Sequence, residues 1–364
     1  TASSRSSARS QYMEFAKLRS AARYNLATSG IESFPIRELP VRHEELEITG
    51  PSFYGYQPLQ QRLAEHCNVA ENCVAPAIGT SLANHLALAA TTEPGDEILI
   101  EDPTYELITS TARFLGLAVR TFARRFEDGY RIDPDEVRRR LTPRTRLVVF
   151  CNLHNPSGVM EGEAAISAVG EICRQAGVRM MVDEVYLDAA FEQKPRSAFH
   201  IAPDVAIVTS SLTKAYGLSG LRCGWVVGLP EVIERVWRIN DLFGAVPPHT
   251  AELLSVVAFD HLDRPRERAR NILMRNRPAL EGFLRSRDDL EVVAAPHGTT
   301  AFPRLTRGSG DELFSILQRD YEASIVPGRF FGDPRHFRIG IGGDPQMTAE
   351  GLRRLGLALD QLRK

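Results

Sequence analysis

Apolar and polar positions change rhythm along this chain. Residues 11–24, "QYMEFAKLRSAARY", place Tyr12, Phe15, Ala16 and Leu18 on one face and predict a helix. A stretch punctuated by Pro and Gly follows, through "ITGPSFYGYQP". From about residue 59 a regular alternation begins. "LQQRLAEHCNV" reads as a helix ahead of "CVAPAIGTSLANHLALAATT". Short apolar runs then alternate with helical segments: "DEILIEDPTYE", "LAVRTF", "TRLVVFCNLHNPSG", "VRMMVDEVYLD", "VAIVTSSLTK" and "RCGWVVG". That alternation predicts an α/β domain with a mainly parallel sheet flanked by helices. "DPDEVRRRL" is a helix start, with Asp133 as cap and Pro134 at the first helical position. The Arg138–Arg140 run falls on its solvated face.

After about residue 250 the pattern shifts. A long helical region, residues 250–287, leads to short strands in "LEVVAAP", "TTAFPRL" and "HFRIGIG", and a final helix over 348–364. This predicts a smaller α+β domain over 250–364, joined by residues 11–45. Residues 46–249 form the large domain, and residues 1–10 a flexible arm. That arm, serine- and arginine-rich without a starting Met, reads as trimmed and has no apolar core of a secretory signal.

Composition narrows the class. Of 364 residues, 43% are hydrophobic and 25% charged, as in an ordinary globular protein, and the formal charge of -2 does not favour a nucleic-acid partner. Five cysteines, an odd number with no C-x-x-C pair, argue against a disulfide or zinc framework and for a reducing, cytoplasmic setting. No apolar run reaches the roughly 18–20 residues that span a membrane. The nine histidines show no metal-ligand spacing, so no metal is expected, and His154 reads as a loop residue.

Ligands in such sheets sit outside the carboxyl ends of the strands. The predicted strand ends carry Asp183 with Tyr186, Asn152 with Asn155, Pro103 with Tyr105, and Ser210, Ser211, Thr213 and Lys214. Gly79-Thr80-Ser81 opens a helix, where free N–H groups favour a phosphate. Singly each has an ordinary explanation: a helix cap, a surface pair, a packed ring, a turn, a solvated lysine. Together they supply an amine, a carboxylate, an amide, a flat ring and an anion cup, the set that pyridoxal 5′-phosphate (PLP) needs.

S-x-x-K with Arg222 eight residues after Lys214, N-P-S-G at Asn155–Gly158 and D-x-x-Y at Asp183–Tyr186 follow one another in this order. On these motifs the chain resembles the class I/II aminotransferases of the aspartate aminotransferase superfamily, fold-type I PLP enzymes, over about residues 25–355. The resemblance implies that Lys214 forms a Schiff base with PLP and moves protons. Asp183 would bind the pyridine nitrogen, with Tyr186 and Asn155 at the 3′-oxygen and Tyr105 stacked on the ring. Gly79, Thr80, Ser81, Ser211 and Arg222 would hold the phosphate. Arg338 would clamp a substrate α-carboxylate beside Asn155. Tyr54, or its rival Tyr56, would reach the phosphate of a neighbouring subunit in a homodimer. A substrate-lining residue in "NLATSGI" falls on Ser29 or Gly30.

The chain departs from the family at Leu153, where many relatives carry Pro, and at Leu59, where a glycine is common. Asp241 lies in "NDLFGA", where dicarboxylate-specific relatives carry an arginine, which counts against an aspartate or glutamate specialist. The expected activity is transfer of an amino group from an L-amino acid to a 2-oxo acid, by a ping-pong route through pyridoxamine phosphate. Its rivals are lyase, synthase or cyclase chemistry on the same cofactor. A PLP-binding regulatory module is less favoured, because about 24 residues before "YNLATSG" are too few for a helix-turn-helix.

Overall fold

The structure is a computed structural model that describes residues 8–364. The expected flexible arm lies largely outside the described residues. Its last residue is ordered: Ser10 caps helix α1, Gln11–Leu18, by accepting from the Met13 N–H at 3.1 Å. This helix is shorter than the predicted 11–24. Arg19 closes it, and by Tyr24–Asn25 the chain has become a short strand.

The predicted alternation builds one seven-stranded sheet. Its strands are β1 Val74–Ile78, β2 Glu97–Asp102, β3 Ala118–Ala123, β4 Thr145–Cys151, β5 Arg179–Asp183, β6 Ala206–Ser211 and β7 Cys223–Val227. Their spatial order is β1-β7-β6-β5-β4-β2-β3. Only β7 runs antiparallel, to both β1 and β6. Its reversal has a consequence for the site: β7 begins where its neighbours end, so Arg222, just before Cys223, returns to the carboxyl edge. Cys223 sits opposite Ile78, the last residue of β1.

Both faces of the sheet's inner strands are buried, which is why those strands read as near-continuous apolar runs, whereas the edge strand β3 exposes Arg120 and Thr121. Leu147, Val149 and Cys151 of β4 join one core with Met181 and Ile207. The alternate residues Val148 and Phe150 join a second with Met180, Val182 and Val208. Helix α2, Gly79–Thr91, follows β1 and buries Ala83, Asn84, Leu86, Ala87, Leu88 and Ala90.

The later half of the chain is more broken than its pattern suggested. The region 250–287 is two helices, His249–Asp260 and Asp263–Arg285. Pro265 sits in the first turn of the second, where its missing N–H leaves no intrahelical bond unmade. Of "LEVVAAP" only Leu290–Glu291 is strand, paired with Arg304–Leu305. Phe337–Gly340 pairs antiparallel with both Thr300–Ala301 and Val326–Pro327. The N-terminal strand Tyr24–Asn25 lies parallel to Ala323–Ser324, so early and late segments share backbone bonds. The last helix spans Pro345–Leu362. Among the described residues, no helix is long and apolar enough to cross a membrane, and no group of three or more His, Cys, Asp or Glu is arranged to hold a metal.

Candidate active site

The carboxyl edge opens into a cavity of about 230 Å³ lined by residues from β4, β5, β6, α1 and α2, and by the connecting loops. Asp183 ends β5 at its floor, 2% exposed. Burial pushes its carboxyl above the usual carboxylate range, opposed by the Asn84 amide, the Val185 N–H and the charge of Lys214. Asn84 Nδ2 donates to Asp183 Oδ2 at 2.8 Å, and the Val185 N–H donates to Oδ1 at 3.1 Å. These donors hold the carboxylate facing inward.

Lys214 follows β6 in the short helix Thr213–Tyr216. Its amine faces the cavity and donates to Ser29 Oγ at 3.3 Å. Burial lowers its pKa; Tyr12 and Asp183 oppose this, while Arg338 and Arg222 add to it. The Tyr186 hydroxyl donates to the same Ser29 Oγ at 2.7 Å.

At the other end, Thr80 Oγ1 donates to Ser211 Oγ at 2.7 Å, with Ser81, Thr213 and Arg222 on the same wall. Gly79 has φ +74°, and a Cβ there would lie 2.1 Å from Arg222 Nη2. The guanidinium therefore lies against the bare backbone that opens α2, where its Nη2 donates to the Ile78 carbonyl at 3.4 Å. Tyr105 lines the cavity beside Asn155, and its hydroxyl lies 3.4 Å from Met13 Sδ.

These residues fit PLP. A braced buried carboxylate, an amine with reduced proton affinity, hydroxyl and amide groups and a glycine-floored cationic cup share one cavity. Lys214 would hold the aldehyde carbon, Asp183 the ring nitrogen, and the Thr80–Ser211–Arg222 wall the phosphate.

Other expected residues lie at the margins of the cavity, behind it or away from it. Ser29 lines the cavity, whereas Gly30 packs behind it: a Cβ at Gly30 would lie 3.1 Å from Lys214 Cδ, and the Ile31 N–H bonds to the Lys214 carbonyl at 2.9 Å. Of the two residues in "NLATSGI", Ser29 therefore has the contact and Gly30 the close approach. Arg338 is fully buried and is not among the cavity's lining residues. Its Nη1 donates to Asn155 Oδ1 at 2.9 Å, and its Nη2 to Tyr12 Oη at 2.8 Å and to the Ala27 carbonyl at 3.2 Å. Tyr54 lies outside its own chain's cavity, 53% exposed, with Arg238 Nη1 donating to its hydroxyl at 3.1 Å. Tyr56 packs edge-on against His249. His154 ties two loops through Ser157 Oγ and the Pro103 carbonyl, and burial holds its pKa well below the ordinary value.

Sequence reasoning missed Asn84 and Tyr12. The signal for Asn84 was a polar residue on the apolar face of a helix opened by a predicted phosphate cup. Tyr12 looked like any aromatic on an amphipathic helix.

Fold and cavity together define a fold-type I PLP-dependent enzyme, and its cofactor is pyridoxal 5′-phosphate. The family model for aminotransferase class I and II matches residues 43–355, and the chain belongs to that family. It is similar to capreomycidine synthase of Streptomyces vinaceus, 29% identical over 88% of this chain and 85% of that protein. It is also similar to an aspartate aminotransferase of Sulfolobus acidocaldarius, at 25% over 85% and 82% of the two chains. The fold matches a PLP-dependent aminotransferase from Streptococcus suis with a TM-score of 0.89, at 23% identity over 97% of each chain. It matches the PLP-dependent cyclase OrfR with a TM-score of 0.85, at 22% identity over 97% and 96%.

Proposed function

We propose that the protein is an aminotransferase that moves the amino group of an L-amino acid to a 2-oxo acid in a ping-pong cycle. The observation that carries this reading is the placement of Lys214 and the Asn84-braced Asp183 in one cavity. When bound, PLP supplies an aldehyde that takes up an amine and a pyridinium ring that draws electrons from the Cα–H bond. Asp183 would keep the ring nitrogen protonated, since an adjacent carboxylate favours the cation. Lys214 would hold the aldehyde carbon, and its free Nζ would accept the proton from the substrate Cα, a task suited to an amine whose pKa burial has lowered. Tyr186 and Asn155 would donate toward the 3′-oxygen, and Arg338 would supply the cation for the α-carboxylate.

A second reading, cyclase or synthase chemistry with the same cofactor contacts, is supported by the likeness to capreomycidine synthase. One experiment separates the two. The PLP-loaded enzyme is offered a panel of amino acids, and products are identified by mass. A 2-oxo acid formed together with the aminated cofactor supports transamination. A cyclised or eliminated product with the cofactor aldehyde regenerated overturns it in favour of the second reading.

The active form in this reading is a homodimer, with Tyr54 serving the phosphate of the partner subunit. Its exposure, and its place beside Arg238 and Trp237 rather than in its own cavity, support that role. Sedimentation of the holoenzyme tests it: a fully active monomer overturns it.

A further inference from the structure

Arg338 does not meet the cavity directly; Tyr12 does. The phenol ring is held edge-on by Tyr105 at 5.6 Å and by Phe330 at 6.0 Å, and tilted against Phe331 at 6.0 Å. Its oxygen accepts the Arg338 Nη2–H at 2.8 Å. That leaves the phenol proton, which has no acceptor among the described residues. Arg338 Nε is likewise buried without a partner. Two donors with nothing to donate to, one of them on a residue lining the cavity, suit an anionic acceptor from outside the chain. Its surroundings sharpen the point. Burial alone pushes the Tyr12 pKa up, yet Arg338 and Lys214 outweigh burial and hold it below its ordinary value, which marks a strongly polarised O–H. With Met13 and Ala16, Tyr12 also makes α1 a wall of the cavity, and none of these three is among the residues assigned to the cofactor.

We propose that Tyr12 is a substrate-binding residue: it keeps its bond from Arg338 and donates its own O–H to the α-carboxylate of the incoming amino acid, carrying the arginine's charge to the cavity surface. The proposal rests on the assignment of Arg338 as the carboxylate cation and adds a second, direct ligand to it.

The test uses the PLP-loaded enzyme and 2-methylalanine, an amino acid with no α-hydrogen and almost no side chain, titrated by the change in visible absorption. Steady-state kinetics with the best donor from the panel run alongside. Tyr12→Phe keeps the ring packing and removes only the O–H. Its expected effect is a rise in Kd for 2-methylalanine, and in KM for the donor, of roughly tenfold or more, the scale of one hydrogen bond to a charged group. Changes in kcat, cofactor content and Tm should be much smaller. Arg338→Met should weaken binding further. A Tyr12→Phe enzyme that binds as well as wild type, or better, while Arg338→Met binds poorly, overturns the proposal and leaves the arginine clamp standing; the phenol would then be packing or a plug. If neither variant weakens binding, or the wild type ignores the probe, the clamp reading falls and this proposal with it.

Discussion

Asn84 stands between Thr209 and Asp183 with its amide orientation fixed by both. The Thr209 hydroxyl donates to Asn84 Oδ1 at 2.5 Å, so Nδ2 is turned to Asp183 Oδ2 at 2.8 Å. A helix of the sheet's flank thus helps keep a buried carboxylate ionised on the sheet's edge. Asn84→Ala removes one donor from a group that burial already pushes toward protonation. The expected result is a drop in turnover of roughly tenfold or more, about 1.5–3 kcal/mol for a bond to a charged group, with PLP still bound. The ring nitrogen, followed by NMR of isotope-labelled PLP, should lose its proton at lower pH than in wild type, because a less ionised Asp183 holds that proton less well. Unchanged turnover and an unchanged titration would show that Asp183 needs no brace from Asn84.

Gly79 carries a different kind of constraint. A Cβ there would meet Arg222 Nη2 at 2.1 Å on a backbone with φ +74°. Gly79→Ala should push the guanidinium out of the phosphate cup. We expect PLP affinity to fall by roughly 10- to 100-fold, while affinity for pyridoxal, which lacks the phosphate, changes little. Equilibrium dialysis of both compounds checks this, and equal losses for the two would place the damage in the ring site instead.

What was legible in the sequence depended on where each residue's role is decided. Asp183, Asn155 and Lys214 sit at or just past strand ends, and a parallel sheet brings strand ends together whatever the loops do. Arg222 was legible through its spacing from Lys214. The reversal of β7 that makes the spacing work was not, since an apolar five-residue strand carries no mark of its direction. Tyr12 and Asn84 act through helix faces whose partners are set by tertiary packing. The same face that hid Phe15 in the core put Tyr12 on Arg338. Ser29 and Gly30 were separable only by seeing which of the two had its back to Lys214.

Glu184, next to Asp183, faces away from the cofactor cavity, toward the chain at Ser197 and Ala198. The Ala198 N–H donates to its Oε1 at 2.7 Å, yet burial pushes its pKa up to about 8. A carboxyl whose folded pKa is raised binds its proton more tightly in the native state than in the unfolded chain. Its contribution to stability is therefore full below the unfolded pKa of about 4.3 and is lost as pH rises through about 8. Glu184→Gln keeps an acceptor for the Ala198 N–H and removes the titration. The variant should be more stable than wild type at pH 8.5, by about a few degrees in Tm. Its Tm should also fall less between pH 6 and pH 8.5. Parallel Tm–pH profiles for the two proteins would overturn this account.

Beneath the site, Arg124 is a fully buried cation that serves two carboxylates. Its Nη1 reaches Glu101 Oε2 at 2.7 Å and its Nη2 reaches Glu161 Oε2 at 3.1 Å, with Nε on the Tyr130 carbonyl at 2.7 Å. Glu101 also accepts the Cys151 N–H at 2.7 Å, and the Glu161 N–H donates to Asn152 Oδ1 at 2.9 Å. The network therefore grips the segment that leads to Asn155. Burial outranks the arginine at Glu101, whose pKa is pushed up to about 7. Such a network is costly to break and of little net worth when whole: removing one partner of a buried pair costs about 3–5 kcal/mol, whereas replacing all partners with apolar residues is often neutral. Arg124→Met should accordingly lower the urea midpoint sharply at constant m-value. Replacing Arg124, Glu101 and Glu161 together with Met, Leu and Leu should recover much of that loss. The PLP dissociation constant then reports what stability does not. If the triple variant folds stably but binds PLP roughly tenfold or more weakly, the network acts by positioning the Cys151–Asn155 segment. If it folds stably and binds PLP like wild type, the three charges contribute to neither the cavity's shape nor its chemistry.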